Sequence, residues 1–413
     1  MANAFTSEDR MIYKQVIEAF NDNLNMSMHT AKYGTDGELM ERANDIINRP
    51  VPLRVTDEAR VVGTDTTARD VLEMKVPSQL DIKRTVPLKL NALEQRDARR
   101  WTEMSMATGR KLSSRVEQAV QDCVFDQGSL CSAISGTSKN AGYDGPAEAE
   151  SLMLELGLDG LDRCMAINAR DYNGLAGDLS KASRSFGNEM SEGAYRRSFV
   201  GEIAGFDTYK MGASKRLAAA GGTCTLDTTG ANVEYAPVAD ADNRTQTITF
   251  NSVSGVAVGD RFTIDGIEAV NMENKVSTGQ PKTFVVTAVS GNDLTISPPI
   301  IGKESGATDA QQDYQNVKVA STSATAAVTF LNQNASNVNY FWTKDSVEIL
   351  LGRYAAPSDE GTKVMRGTTD QGVELLMTKE FSGKNLVSLY HFDIFFGVTN
   401  LDPEKNGLQI YGQ

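Results

Sequence analysis

The chain has 413 residues, 40% of them hydrophobic, and a formal net charge of -13. That length exceeds one ordinary hydrophobic core, so two or three domains are expected. An acidic balance, with a pI near 4.8, argues against a protein whose main task is gripping phosphate backbones, which needs a net basic surface. No stretch approaches the roughly 18 to 20 consecutive apolar residues of a membrane span, and Met1 to Arg10 carries acidic residues without an apolar run. A soluble chain with no membrane partner is therefore expected. Cys123, Cys131, Cys164 and Cys224 form no C-x-x-C pair, so free thiols are expected and neither a zinc site nor a redox motif.

In chain order, Phe5 to about Met28 places Ile12, Val16, Phe20 and Leu24 four residues apart. This spacing predicts an amphipathic helix, and Glu8, Asp9, Glu18 and Asp22 give it an acidic flank suited to packing or to a partner. Val51, Leu53, Val55 and Leu72, Met74, Val76 alternate with polar residues around a turn-rich centre at Gly63, Thr64 and Asp65, which predicts a long β-hairpin. Its arms carry Arg54, Asp57, Glu58, Arg60, Arg69, Asp70 and Glu73, a dense mixture of both signs. An isolated two-stranded ribbon is marginal in water, so this one should lie on a neighbouring surface.

After an alternating strand at Val86, Leu88 and Leu90, the period becomes helical from about Asn91 to Gln127. A helix of some 30 residues would run about 45 Å, long enough to act as a spine. Gly109 within it costs up to about 1 kcal/mol relative to alanine. Its basic residues Arg99, Arg100, Arg110, Lys111 and Arg115 alternate with Glu94, Asp97, Glu103 and Glu117, which reads as a solvated or inter-subunit face and not as a nucleic-acid groove. Small turn-forming residues follow to Gly145, then a helix opened by Pro146 and running through Glu155. A short strand at Met165 to Ile167 and a helical segment around Tyr172 and Leu175 complete an α+β stretch.

Between about Thr223 and Leu331 the composition shifts to threonine, valine, glycine and serine. Short strands at Thr245 to Phe250, Arg261 to Ile264, Thr283 to Val289 and Leu294 to Ser297, separated by turns such as Gly259-Asp260 and Gly291-Asn292-Asp293, predict a small β-barrel or sandwich. Asp240, Asp242 and Arg244 lie on a polar loop that fails as a calcium loop: its sixth position is Thr245 and its twelfth Asn251. That leaves ionic contact with another subunit as its functional reading. Beyond Asn332 strands return at Val347 to Leu351, at Val373 to Lys379 and around Tyr390, Phe392, Ile394, Phe396 and Val398. The simplest account is one α+β domain interrupted by an all-β insertion.

Catalytic chemistry finds little support. His29 and His391 are the only histidines, and no H-E-x-x-H, G-x-S-x-G or G-x-x-x-x-G-K-[ST] motif occurs, so no enzyme, cofactor or metal is expected.

Arg110-Lys111-Leu112, Val116-Glu117, Gly128-Ser129-Leu130, Asn168 with Asp171-Tyr172, Ala204-Gly205-Phe206-Asp207, and Asn337 to Trp342 followed by Asp345 span nearly the whole chain. In order and spacing they resemble the major coat proteins of short-tailed double-stranded DNA phages of the Salmonella phage P22 type. The resemblance implies an α+β Hong Kong 97-type capsid fold with an inserted β-barrel domain. It implies an N-terminal arm over residues 1–48, an E-loop hairpin over 49–80, a peripheral domain with the spine helix over 81–145, an inserted domain over 223–331, and an axial domain over 146–222 and 332–413 that shares some late strands with the peripheral one. The loop Val238 to Arg244 is shorter than the family's bridging loop, which leaves its inter-capsomer role open.

A capsid subunit of this kind implies homo-oligomeric pentamers and hexamers, a scaffolding protein and a portal protein as partners, and packaged double-stranded DNA nearby without specific binding. The expected inter-subunit residues are the hairpin charges named above with Asp240, Asp242 and Arg244, and the expected scaffold contacts are Glu8, Asp9, Glu18 and Asp22. Competing readings are a carbohydrate-binding or adhesive phage protein using the β-rich segment, a carboxylate-based hydrolase and an encapsulin-type compartment shell.

Overall fold

The computed structural model describes residues 7–34, 46–57, 71–91, 94, 98–135, 142–158, 162–182, 200–226, 233–303, 308–319, 326–354 and 363–413. The chain forms two compact units: Met1–Ile47 with Ser78–Asp122 and Val347–Thr399, and Asn48–Pro77 with Cys123–Ser346 and Asn400–Gln413. This division differs from the boundaries expected from the sequence. The strands after Val347 form a sheet in the first unit, and the hairpin stem lies in the second.

In the first unit, helix α1 (Ser7–Asn21) and a 3-10 turn (Met26–His29) replace the single helix expected to Met28. Long helix α2 (Ala98–Gln127) has the expected C-terminus, and Asn91, where the helical period was expected to begin, still belongs to the preceding strand. The sheet pairs Ile82–Asn91 with Val387–Asn400, from Asn91↔Val387 to Ile82↔Phe396, and Glu374–Ser382 flanks the latter strand. Tyr390, Phe392, Ile394 and Phe396 are buried as their alternation predicts, and so is Phe395 on the opposite face, beside Leu80 and Leu350. A strand apolar on both faces near its end needs cover on each, which explains why these late strands hold a core of their own.

The apolar face of α1 buries Ile12, Tyr13, Val16, Ala19 and Phe20. The Tyr13 hydroxyl donates to the Leu375 carbonyl at 2.6 Å, and Asp9 meets Lys379 at 2.8 Å. Gly109 explains itself here. A Cβ at that position would stand 2.5 Å from the Val16 carbonyl oxygen and 2.9 Å from Ala19 Cβ, so the missing side chain is what lets α1 lie against α2.

In the second unit a mixed sheet runs in the order Leu130–Ile134, Asn406–Tyr411, Ser336–Thr343, Arg163–Asn168, Phe206–Met211, Glu202–Ile203. Helices α3 (Asp144–Glu155) and α4 (Ala169–Ala182) belong to the same unit. The start of α4 is set by Asn168, whose side-chain oxygen accepts from the amides of Arg170 and Asp171 at 3.0 and 3.1 Å. Met153, Leu156, Met165, Ile167, Tyr172, Phe206 and Phe341 form the core, joined by Ala269 and Met272 from the insertion.

Among its described residues the insertion is all-β apart from the short helix α5 (Asp309–Asp313), and its strands between Thr223 and Phe330 make one eight-stranded sheet. Its end strands, Gln246–Thr249 and Ser252–Ser254, are separated in sequence by Phe250 and Asn251 alone. Three peptide links reach about 11 Å at most, so the sheet must curl back on itself as a barrel-like shell. Alternating Phe262, Ile264, Phe284, Val286, Leu294 and Ile296 fill it, and Phe262 stacks on its cross-strand partner Phe284 at 5.7 Å.

The hairpin departs from expectation. Its paired strands are Ile46–Pro50 and Lys75–Gln79; beyond them the Val51 amide still donates to the Met74 carbonyl at 3.0 Å, and 51–57 forms no strand. Pro50 and Pro52 lack the amide a ladder needs, and Leu53 and Val55 are exposed.

Gly109→Ala should lower the thermal unfolding midpoint. The gain of up to about 1 kcal/mol in helix propensity is outweighed by roughly 1–3 kcal/mol of overpacking against backbone that cannot step aside. A raised midpoint in calorimetry would contradict this close approach.

Candidate assembly residues and the ionic junction behind them

A dense polar site lies within the second unit, around the 3-10 turn Pro403–Lys405. Asp402 caps this turn by accepting from the Glu404 amide at 3.1 Å, with Pro403 in its first turn. The Glu404 carboxylate is buried and accepts from Lys282 Nζ at 2.7 Å, Arg54 Nη1 at 2.7 Å and Asn316 Nδ2 at 2.9 Å. Arg54 Nη2 reaches Asp402 at 3.0 Å, so one guanidinium forks across two carboxylates. Two residues on, the Thr56 amide and hydroxyl both donate to Asp313. Beside them Met74, Ile301 and Tyr314 form an apolar cluster with Val51, Leu72 and Tyr235, and the Tyr314 hydroxyl donates to the Leu72 carbonyl at 2.9 Å. The hairpin stem is thus bolted to the insertion and to the C-terminal turn of its own chain.

Burial alone would raise the Glu404 carboxyl, but the adjacent Lys282 and Arg54 charges, with their hydrogen bonds, hold it well below the usual carboxylate range. Burial would likewise lower Arg54, which Asp402 and Glu404 outweigh, so its guanidinium stays charged. Among the described residues no carboxylate pairs with Lys275: burial, then repulsion from Arg54, push it down to about 8, and its ammonium donates to the Asp313 carbonyl at 2.6 Å.

The insertion also supplies the C-terminal ends of two helices. Arg261 is fully buried and donates to the carbonyls of Phe125 and Gly128 at the end of α2, where the helix dipole favours a cation; burial brings its pKa down to about 10. The Met272 amide and the Asn271 side chain donate to the carbonyls of Leu156 and Glu155, each at 2.9 Å, at the end of α3.

The sequence-predicted residues fare differently. Asp57 and Glu73 are exposed; Glu58, Arg60, Arg69 and Asp70 lie outside the described residues. Arg54, expected among the inter-subunit contacts, pairs with Asp402 and Glu404 of its own chain. Asp240 pairs with Lys75, and Arg244 with Asp242 at 2.8 Å and with the Asn400 carbonyl at 2.7 Å. Their loop is closed by buried Asn243, which bonds both backbone groups of Val238 at 3.0 and 2.9 Å, so it folds onto its own subunit. Of the acidic residues in the arm, Glu18 and Asp22 are exposed, whereas Asp9 is buried against Lys379 and is not open to a partner. The side chain of Glu8 lies outside the described set. Sequence reasoning missed Lys282, Asn316, Asp402 and Glu404; the one local signal was Asp402-Pro403-Glu404, a capped turn that follows a buried strand.

The P22 coat protein family, described as gene protein 5, matches residues 1–412. The chain belongs to the P22 coat protein family. Its fold is therefore the expected capsid fold of Hong Kong 97 type with an inserted domain, and the architecture above agrees with it. This coat protein is a structural component of the virion shell of a tailed phage, made by self-association, and not an enzyme. Among solved structures, it is similar to the CUS-3 coat protein I-domain at 37% identity, covering 28% of this chain and 99% of that one with a TM-score of 0.22. It is similar at 9% identity to the mature capsid of bacteriophage PhiM1, covering 94% and 87% with a TM-score of 0.48, and to Mycobacterium phage Che8 at 9%, covering 92% and 89% with a TM-score of 0.46.

Replacing Glu404 by Gln should cost about 3–5 kcal/mol at neutral pH, because two buried cations lose their shared counter-charge. The folded carboxyl lies below its unfolded value, so its contribution is complete above about pH 5 and is lost as the pH falls toward the folded value. Urea midpoints across that range should fall with acid more steeply for the wild-type coat protein than for Glu404→Gln; parallel curves would contradict the assignment.

Proposed function

We propose that the coat protein builds pentamers and hexamers, that a separate scaffolding protein guides them into a procapsid closed at a portal protein, and that the shell matures as double-stranded DNA is packaged. The observation that carries this reading is the anchored hairpin stem. Arg54 and Thr56 hold it inward, while Leu53, Val55, Asp57, Val71 and Glu73 remain exposed beside them. A segment pinned at alternate residues is pre-organised, so a neighbouring copy meets it without the full cost of ordering it. In this reading Asp57, Glu58, Arg60, Arg69, Asp70 and Glu73 make the contacts between subunits, and Arg54 aims them. Residues 1–48 serve as the arm, with Glu18 and Asp22 open to the scaffold, and 49–80 serve as the E-loop. Within the expected boundaries, the peripheral region takes its late strands from 347–399, and 223–331 form the inserted domain.

Exposed ion pairs contribute only about 0–1 kcal/mol each, so many weak repeated contacts keep assembly reversible and salt-sensitive. Light scattering of purified subunits with scaffold should rise more slowly at high ionic strength. Indifference to salt would remove the ionic contacts from the proposal.

Deleting Thr223 to Leu331 removes Arg261, Lys282, Ala269, Asn271 and Met272 together. The product should be insoluble or misassembled, and a soluble deletion variant that closes normal shells in negative stain would overturn this role of the insertion.

A further inference from the structure

Helix α2 carries Arg110, Lys111 and Arg115, which the sequence pairs with interspersed acids. The fold separates them. Between Glu103 and Asp122 the only acid on the helix is Glu117, and it is turned away from solvent. Its carboxylate accepts from the amides of Asn25, Met26 and Ser27 at 2.9, 3.0 and 3.1 Å, and from the Ser27 hydroxyl. That charge is consumed in fastening the segment after α1. Arg110, Lys111, Ser114 and Gln118 remain exposed along one side, with Arg115 half-buried between them and donating to Gln118 at 2.7 Å. Among the described residues, no carboxylate lies within salt-bridge distance of Arg110, Lys111 or Arg115.

The stripe is about 12 Å long, and its exposed members are all cationic or polar. A stable protein–protein contact wants an apolar, well-packed centre, which this face lacks. Arginine, lysine, serine and glutamine are the side chains that take phosphate oxygens without reading bases. The chain's net charge of -13 opposes a polyanion at long range, but charges beyond a Debye length of about 8–10 Å are screened at physiological salt. At contact the local excess of three cations governs.

We propose that this face of α2 is where the coat protein touches the phosphate backbone of the packaged duplex, without sequence preference. Glu117 makes the site possible by withdrawing the one negative charge that would cancel it. The inference rests on the reading that the finished shell is filled with duplex DNA.

The test places a photo-crosslinking side chain at Ser114 in DNA-filled heads, with the same group at exposed Thr247 in the insertion as comparison. Irradiation should give a nuclease-sensitive coat–DNA adduct from position 114 in clear excess over position 247. Combining the Ser114 probe with Arg110→Gln, Lys111→Gln and Arg115→Gln should lower the adduct yield several-fold in heads that electron microscopy shows to be filled. Adducts from position 114 to protein alone would make the stripe an interface with an acidic partner and overturn the proposal. No adduct, equal yields from the two positions, or an unchanged yield in the triple variant would also overturn it. Filled heads accompanying any of these results would leave the capsid reading intact, whereas particles without DNA in the wild type would count against that reading itself.

Discussion

A carboxylate buried among its own chain's cations governs the second unit. Glu404 sits where residues far apart in sequence converge, Arg54 from the hairpin stem, Lys282 and Asn316 from the insertion, and Asp402 from the C-terminal turn. Each charge is too costly to bury alone, so none of the segments can adopt its place without the others. That mutual dependence makes the hairpin stem part of the fold and not an appendage.

The insertion takes part in the same logic. Helices α2 and α3 both end with carbonyls that lack intrahelical donors, and in each case the insertion provides them, through Arg261 for one and through Asn271 and the Met272 amide for the other. Ala269 and Met272 extend the apolar core in the same region. A domain interrupted by a hundred residues of β structure would be expected to pay an entropic cost for the long excursion, but that cost grows only slowly with loop length. Capped helix ends and a completed core offset it.

In the first unit the corresponding fastening is Glu117, which holds the backbone after α1 by hydrogen bonds and leaves α1 free to pack through the space at Gly109. One residue type therefore has opposite roles along one helix: Glu103 pairs with Arg99 on the surface, and Glu117 serves the interior. The electrostatic character of α2 follows from which acids the packing consumes.

Much of the architecture is legible in the sequence because it depends on local periodicity. The four-residue spacing of Ile12, Val16 and Phe20, the unbroken helical pattern to Gln127 and the threonine- and valine-rich run from Thr223 each express an element that repeats its own geometry. The family marks added the capsid fold with its inserted domain. The hairpin's paired strands end earlier than the alternation at Val51, Leu53 and Val55 suggests, because alternation does not say how far a ladder continues, and Pro52 has no amide to extend it past Val51. The fates of Arg54, Glu117 and Glu404 were beyond any local reading. A charge looks the same in sequence whether it meets water or a counter-charge, and only long-range folding, which brings residue 54 to residue 404 and residue 117 to residue 26, decides between the two.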